Sequence, residues 1–315
     1  FPLDLLLRDS FLTFCRLWAL VRLGRIAQAE TLLAPARERA ERDDDAYFSL
    51  RLDLIESYIG VLRYDAQITL DYCQRWLTPF PRAGTFEHLA FLMFQTLAEM
   101  FAGRPEAAVA ALAQTREMVE STGKPWIDCL ESAFRGRMLT QQGQNAKAKS
   151  ALKQAIYLGE RANAQPVHYS HLLMAQACVE SMELRSARSN ALRCLDLADT
   201  IGMTVHISPA LQLLADVAMV RGDRHESEQH IRQAIRVARQ NDFTGQLMDA
   251  EARQAHYLIS SGDVEGAASW AESRLRLTRR PQDFQQYQEN AVLARYLSAT
   301  GRTAEAEALL APMFD

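Results

Sequence analysis

The stretch that decides the fold is Gly143-Gln-Asn-Ala-Lys-Ala148, in which a glycine is followed five positions later by an alanine. Similar stretches return along the chain, with steps of 40 residues from Gly103 to Gly143 and of 39 from Gly262 to Gly301. Periods of this length are typical of solenoids built from repeated helix pairs. The other copies are Gly24-Arg-Ile-Ala-Gln-Ala29, Gly103-Arg-Pro-Glu-Ala-Ala108, Gly262-Asp-Val-Glu-Gly-Ala267, Gly301-Arg-Thr-Ala-Glu-Ala306 and, more weakly, Gly222-Asp-Arg-His-Glu-Ser227. Two degenerate copies fall where the period places them, near Leu62-Arg63-Tyr64 and near Met182-Glu183.

Each copy has the chemistry of a tight corner between two helices. Glycine reaches the left-handed backbone conformation that ends a helix without a steric penalty. The alanine five positions later is expected to face the preceding helix at closest approach, where a longer side chain would separate the pair. These alanines are Ala29, Ala108, Ala148, Ala267 and Ala306. A large apolar residue usually follows nine positions after the glycine (Leu33, Leu112, Leu152, Ile231, Leu310). In later units a small residue stands seven positions before the corner (Gly136, Ala175, Ala215, Ala255, Ala294).

Between the corners the apolar residues recur at three and four positions, as in Leu211, Leu214 and Ala218, which is helical periodicity. The strand-like alternation of apolar and polar residues is absent from the sequence. We therefore predict an all-α chain of about eight helix pairs. Their expected bounds are 9–43, 45–80, 84–123, 124–164, 165–203, 204–243, 244–280 and 282–314.

The glycine, the alanine and the flanking small and large residues resemble the tetratricopeptide (TPR) pattern, with a period longer than its standard 34 residues. Long repeats of 39–40 residues resemble the sensor region of MalT-like, ATP-dependent LuxR-family transcriptional regulators. The resemblance is strongest in the last third, at Trp270, Leu275, Tyr287-Gln-Glu289, Leu293-Ala-Arg-Tyr-Leu297, Gly301-Arg302 and Ala306-Glu-Ala-Leu-Leu310. It implies that residues 1–315 form a single right-handed superhelical TPR-like solenoid.

Those regulators carry an ATPase before the solenoid and a helix-turn-helix after it. This sequence has no GxxxxGK[ST] phosphate loop and no basic segment after the last repeat. If the resemblance holds, nucleotide hydrolysis and DNA binding lie outside these residues. The chain begins at Phe1 without an initiator Met and ends at Asp315, so we expect a fragment of a longer protein.

The composition favours a folded cytoplasmic protein without a membrane span. The formal net charge of −4 argues against direct contact with nucleic acid, which requires a basic stripe. The five cysteines are scattered without a CxxC pair, as expected for reduced core residues of a cytosolic protein. The sequence also contains no apolar run of the roughly 18 residues that a membrane span needs.

No constellation of residues predicts catalysis, a cofactor or a metal site. His168 and His171 share a helix face, but no carboxylate or cysteine in helical register completes a set of metal ligands. We interpret both as hydrogen-bonded histidines, with ligand contact as the alternative. The run from Asp43 to Asp45 precedes an apolar stretch and predicts helix capping. The chain is therefore predicted to be no enzyme and to hold no cofactor.

The sequence predicts a groove on the inner wall of the solenoid. In a TPR superhelix the first helix of each pair lines the concave side, and we expect the residues six and ten positions before each corner to point inward. The residues six positions before are Trp18, Ser57, Leu97, Arg137, Gln176, Asp216, His256 and Arg295. Those ten positions before are Phe14, Asp53, Met93, Ala133, Leu172, Gln212, Ala252 and Ala291. The wall is apolar in the first and third pairs, interrupted by Asp53 and Ser57, and polar later.

The polar part of this wall supplies the candidate ligand-binding residues, which are Arg137, Gln176, Gln212, Asp216, His256 and Arg295. Convergent polar groups fix a small ligand, and the guanidinium fork of arginine favours a carboxylate or phosphate. Arg137 and Arg295 lie four repeats apart, so one small ligand need not touch both. The alternative is a solvated inner surface without a ligand. Trp18, with Phe11 and Phe14, is interpreted as cap packing against an upstream helix, with a binding patch as the alternative.

Two functions remain open. The first is an effector-sensing module of a MalT-like transcriptional activator, in which a small inducer binds the groove and controls self-association. The second is a TPR scaffold that binds a peptide or helix of a protein partner in its concave groove.

Overall fold

The computed structural model of the chain describes residues 7–78, 86–122, 124–163, 166–277 and 284–313. Within these ranges the chain forms sixteen α-helices in eight pairs and no β-strand. The helices are α1 Ser10–Arg22, α2 Ile26–Arg42, α3 Ala46–Arg63, α4 Ala66–Leu77, α5 Phe86–Phe101, α6 Pro105–Thr122, α7 Pro125–Gln141, α8 Asn145–Arg161, α9 Val167–Glu180, α10 Leu184–Ile201, α11 Ile207–Val220, α12 Arg224–Gln240, α13 Thr244–Ser260, α14 Val264–Leu275, α15 Phe284–Ala299 and α16 Thr303–Leu310. The predicted all-α fold and the eight helix pairs are confirmed.

The corner inside each pair is closed by a residue in the left-handed conformation. Gly143 has a φ of 71°, and the backbone N–H of Gln144 donates to the carbonyl of Leu139 at 2.8 Å. The same conformation occurs at Gly24, Gly103, Gly222, Gly262 and Gly301. At the two degenerate corners the left-handed residues are Tyr64, with a φ of 59°, and Met182, with a φ of 58°. The predicted corners are therefore all present.

Small residues allow the two helices of a pair to interlock, as predicted. The five alanines that follow a corner are at most 4% exposed. Opposite them, a Cβ added to Gly136 would lie 2.5 Å from Cγ of Leu152, so these two helices pack as close as backbone allows. The rule of a small residue seven positions before the corner and a large one nine after it thus describes a direct contact.

Aspartates begin several of the helices. The side chain of Asp45 accepts a hydrogen bond from the backbone N–H of Phe48 at 2.9 Å, which confirms its predicted capping role. Asp65 and Asp223 cap α4 and α12 in the same way. Such caps typically stabilise a protein by about 1 kcal/mol each.

The solenoid closes on itself, because α3 contacts α13 and α5 contacts α15. We call this contact the seam and define it by Arg22, Arg63 and Tyr64 on one side and Met203, Asp242 and Gly245 on the other. Nη2 of Arg63 lies 2.8 Å from Oδ2 of Asp242. A Cβ on Gly245 would lie 2.5 Å from Cγ of Tyr64, so only glycine admits this ring.

One cluster of buried apolar side chains continues across the seam. It joins residues of the first four pairs to Met203, Val205 and Phe243 of the later ones. Burial of this kind is the dominant stabilising contribution in folding, so the closed shape is part of the hydrophobic core. In the part of the chain that the structure describes, we find no helix whose length and apolar character suit a membrane crossing.

Candidate functional site

The solenoid surrounds a partly open cavity of about 950 Å³ that is lined mainly by its odd-numbered helices. All eight pairs contribute to the lining, for example through Trp18, Tyr58, Phe94, Phe134, Tyr169, Gln212, Arg253 and Gln288. This volume lies near the upper end of the range for pockets that hold small ligands. The predicted groove is therefore an inner chamber that the seam bounds on one side.

The early pairs give the cavity an aromatic wall, which we define as Trp18, Tyr58, Phe86, Phe94 and Phe101. The rings of Tyr58 and Phe94 stack with centroids 5.1 Å apart, and Trp18 lies 5.3 Å from Tyr58. Each such pair stabilises by roughly 0.5–1.5 kcal/mol beyond the burial of its area. Trp18 both packs against these rings and lines the cavity, so its role as a binding patch stays a prediction.

The late pairs give the cavity a polar wall, which we define as Gln176, Gln212, Gln246, Asp249 and Arg253. The two walls face each other across the cavity, and the seam joins them where Tyr64 touches Gly245. Pockets that combine a large apolar surface with a few convergent polar groups are typical of ligand sites.

Arg137 on α7 is a basic group of the cavity lining that contacts the aromatic wall at Phe101. Its Nη1 donates to the hydroxyl of Tyr169 at 3.0 Å, and its guanidinium lies 5.7 Å from the ring centroid of Phe101. Within the described residues it forms no ion pair. Burial alone would lower the pKa of Arg137, but Tyr169, Tyr64 and Asp249 together raise it by more. The net pKa is therefore above its usual value, and the side chain is charged. Arg137 thus keeps N–H donors that no carboxylate of the described chain occupies.

Asp249 on α13 is the acidic group of the polar wall. Burial raises its pKa to about 6, although Arg253, Tyr64 and Arg137 act in the opposite direction. Burial, followed by the negative charge of Asp249, raises the pKa of Tyr64 well above its usual value of 10. Tyr64 therefore stays protonated and neutral beside this carboxyl.

Two glutamines flank Asp249. Gln246 is 4% exposed and donates from Nε2 to the carbonyl of Val205 at 2.9 Å. Its Oε1 has no hydrogen-bond partner within the described residues. Nε2 of Gln212 donates to the backbone carbonyl of Gln246 at 3.4 Å. The polar wall thus has an unused amide acceptor next to its carboxyl group.

Two histidines form a pair at the edge of the cavity. Nε2 of His168 lies 2.8 Å from Nδ1 of His206, which accounts for the predicted hydrogen-bonded role of His168. His171 instead faces away to Asn190, with its Nδ1 2.8 Å from Oδ1. Burial, followed by the charges of His168, Arg22 and Arg137, lowers the pKa of His206 well below 6.5. His206 is therefore neutral at physiological pH.

The structure brings together three of the six predicted site residues and separates the other three. Arg137, Gln176 and Gln212 line the cavity. Asp216 instead pairs with Arg253 and accepts a hydrogen bond from the Tyr257 hydroxyl at 2.5 Å. His256 and Arg295 lie outside the lining, with Nδ1 of His256 3.4 Å from Nη1 of Arg295. The ligand-binding role of all six stays a prediction.

The seam explains this division. It places the C-terminal end of α3, at Tyr64, against the N-terminal end of α13, at Gly245. In the sixth to eighth pairs the residues that line the cavity stand nine or more positions before the corner, which is at least about two and a half turns. A residue six positions before the corner of such a pair, such as Asp216, consequently falls beyond the cavity.

The sequence interpretation missed Tyr64, Tyr169, Asp249 and Arg253. Tyr64 had a usable signal, because it stands at a corner where the repeat requires glycine, and proteins break local rules at sites with another role. Asp249 and Arg253 lie on the same face of α13, four positions apart. Only the closed geometry shows that this face lines the cavity.

Within the described ranges, no group of three or more histidine, cysteine or acidic side chains could hold a metal ion. Cys73, Cys129, Cys178 and Cys194 are buried and unpaired, as predicted for core residues, whereas Cys15 is exposed. Burial raises the pKa of Cys73 and Cys194 to about 12, so neither is a thiolate at neutral pH.

A comparison with protein families matches residues 52–315 to the model described as MalT-like TPR region. A search of curated proteins found no match. Among solved structures, the chain is similar to a Rap protein complexed with Competence and Sporulation Factor, with 13% identity, a TM-score of 0.66, and coverage of 96% of this chain and 87% of that one.

Two further structures are similar in fold. The apo form of RapI shares 11% identity over 94% of this chain and 99% of that one, with a TM-score of 0.58. NprR in complex with its cognate peptide NprX shares 12% identity over 96% of this chain and 87% of that one, with a TM-score of 0.62. At these identities the likeness establishes a shared TPR-like solenoid fold.

Proposed function

This chain belongs to the family of MalT-like TPR regions, and on that premise we propose that it is an effector-binding sensor domain. Its inner cavity holds a small amphiphilic ligand, with an apolar part against the aromatic wall and an acidic group at Arg137. The observation that carries the proposal is the position of Arg137, which is charged, lies beside aromatic rings, and has a hydroxyl as its hydrogen-bond partner.

The chemistry of Arg137 favours an anionic ligand. The guanidinium of Arg137 is partly buried and its hydrogen-bond partner is a neutral hydroxyl, so a carboxylate can occupy two of its N–H groups at once. A ligand that supplies this carboxylate gains a charge-assisted hydrogen bond, which is worth about 1.5–3 kcal/mol. The aromatic wall supplies an apolar surface beside Arg137.

A short peptide is the second candidate for the occupant. NprR, whose fold is similar, was solved with its cognate peptide NprX. The size of the cavity favours an extended peptide over a folded helix. A helix about 11 Å wide would fill roughly 950 Å³ within about 10 Å of its length, which is under two turns.

The test is a thermal-shift screen of metabolites and short peptides, followed by calorimetry on every compound that stabilises the chain. We expect Arg137→Met to weaken the binding of such a compound by about 10- to 100-fold. The matched control is Arg232→Met, because Arg232 lies on the outer helix α12, is 67% exposed and pairs with Glu228. Equal affinity for the wild type and Arg137→Met would contradict the proposed site.

The finer role that we propose is the sensor of a LuxR-family activator, in which the bound effector controls self-association. The family and the sequence resemblance support this role. A ligand shifts such an equilibrium only by its difference in affinity for the two states. Sedimentation of the chain with and without the compound found by calorimetry should therefore show a change in oligomer size. An unchanged monomer would favour a sensor that acts through a separate protein partner.

We propose no catalytic activity for this chain, because the cavity lining of the described residues lacks a nucleophile next to a general base. A hydrolase screen of the purified chain should give no turnover above the buffer blank.

A further inference from the structure

The cavity carries groups of both charge signs, and each lacks a complete partner. Arg137 and Asp249 both line it and interact electrostatically with one another and with Tyr64. We infer that its ligand is a zwitterion, with an ammonium group bound by Asp249 and Gln246, an acidic group bound by Arg137, and a hydrophobic side group against the aromatic wall. This inference rests on the proposed function and names the chemical class of the effector.

Asp249 has no cation in contact with it within the described residues. The nearest basic side chain on its helix, Arg253, is already paired with Asp216, which also accepts a hydrogen bond from Tyr257. The hydroxyl of Tyr64, which interacts electrostatically with the carboxyl, is neutral and supplies no positive charge. A partly buried carboxylate without a cationic partner favours a cation that enters with the ligand.

Gln246 supplies a second acceptor at the same place. It precedes Asp249 by three positions on α13, so the two side chains share one face of the helix. Its amide nitrogen is used by Val205, which fixes the amide so that Oε1 remains without a partner. An ammonium group has three N–H donors, and a carboxylate beside an amide oxygen accepts two of them.

The alternatives leave one of the two charged groups without a partner of opposite charge on the ligand. An acid without an amine would satisfy Arg137 but would leave the Asp249 carboxylate next to the ligand's own negative charge. An amine without an acid would satisfy Asp249 but would leave Arg137 with a hydroxyl alone. Only a ligand that carries both charges completes both sites. Free hydrophobic amino acids and short hydrophobic peptides share this chemistry.

The experiment is an affinity selection in which the chain is incubated with defined pools, separated by size exclusion and analysed by mass spectrometry. One pool contains the free amino acids Leu, Met, Phe, Tyr and Trp. A second contains all dipeptides of these residues with free termini, and two more contain the same dipeptides N-acetylated or C-amidated. A last pool contains the corresponding acids without an amine, such as 3-phenylpropionate.

We expect the free amino acids or the free dipeptides to be retained at least ten-fold more than either blocked pool or the amine-free acids. Which of the two unblocked pools is retained identifies the source of the zwitterion. The Asp249→Asn variant should retain the N-acetylated dipeptides and the free dipeptides to the same extent. The Arg137→Met variant should retain the C-amidated dipeptides and the free dipeptides to the same extent. The control Arg232→Met should behave as the wild type.

Equal retention of blocked and unblocked pools by the wild type would overturn the inference, as would an unchanged preference in Asp249→Asn. Retention of the amine-free acids alone, or of none of these pools while the metabolite screen finds another ligand, would overturn the zwitterion but leave the sensor proposal intact. If neither the pools nor the metabolite screen yields a ligand, the proposed function itself fails. Thermal melts of each variant establish that it is folded.

Discussion

The two walls of the cavity differ in how completely their side chains find packing or hydrogen-bond partners within the protein. In the aromatic wall the rings pack on one another, and Phe94 is only 8% exposed. In the polar wall Oε1 of Gln246 has no hydrogen-bond partner among the described residues. A wall that is complete without a ligand stabilises the fold, whereas a wall with unused groups is suited to recognition.

The largest expected effect separates the walls by stability. Replacement of Phe94 by alanine removes a ring that packs against Tyr58 and Trp18, so it should lower the free energy of unfolding by about 3–5 kcal/mol. The matched change Gln176→Ala in the polar wall should alter it by less than about 0.5 kcal/mol. Urea denaturation monitored by circular dichroism measures both. An equal loss of unfolding free energy in the two variants would show that the aromatic wall does not stabilise the fold more than the polar wall does.

The next effect is the pH dependence of Asp249. Below pH 3.8 this carboxyl is protonated in both the folded and the unfolded chain. As the pH rises, the unfolded chain ionises first, and the folded protein follows only at about pH 6. Folding is therefore penalised progressively between about pH 4 and 6, by roughly 2–3 kcal/mol once ionisation is complete.

Asp249→Asn removes this penalty. Its stability relative to the wild type should increase by that amount between pH 4 and pH 7.5 in urea denaturation. The comparison with the wild type at each pH cancels the contribution of other titrating groups, such as His206. A difference that does not change with pH would mean that Asp249 is not held in an unfavourable environment, and that the polar wall lacks its central group.

Tyr64 lies where the two walls meet, and Met182 is its matched control. Both residues adopt the left-handed conformation, which costs a non-glycine residue roughly 1–2 kcal/mol. The side chain of Met182 is 64% exposed, so Met182→Gly should stabilise the chain by about 1 kcal/mol.

Tyr64→Gly relieves the same strain but removes a ring that packs 4.7 Å from Phe101 and against Gly245. It should therefore destabilise the chain, by about 2 kcal/mol. Thermal and urea denaturation of the two variants in parallel measure whether their stabilities change in opposite directions. Stabilisation by both substitutions would show that the seam adds nothing to the folded state.

The smallest expected effect concerns Arg295, which the sequence places in the ligand site and the structure places beside His256. Arg295→Ala should change the affinity for a compound found by calorimetry by less than about two-fold, against 10-fold or more for Arg137→Met. A large loss with Arg295→Ala would instead support the site predicted from the repeat register alone.

The helix pairs could be predicted because their determinants are local. A glycine at each corner and an alanine five positions later act within one pair, and Gly143 with Ala148 illustrates both. The seam could not be predicted in this way, since Arg22 meets Met203 across 181 positions of sequence. Such closure depends on the summed curvature of all pairs rather than on any single motif.

The cavity lining was predictable in part for the same reason, although the rule of six positions before the corner also named Ser57, which does not line the cavity. The rule correctly places Arg137 and Gln176 in the cavity lining. It fails at Asp216, because the seam moves the cavity toward the N-terminal ends of the late helices. The departure from glycine at Tyr64 was the one local sign of that closure.

The most direct test of an inner chamber that recognises an effector is a crystal structure of the chain with a compound that calorimetry identifies. We predict electron density inside the cavity, with the apolar part of the compound against Trp18 and Phe94 and its acidic group within hydrogen-bond distance of Arg137. A compound bound on the outer helices, or beside Asp216, His256 and Arg295, would contradict the account.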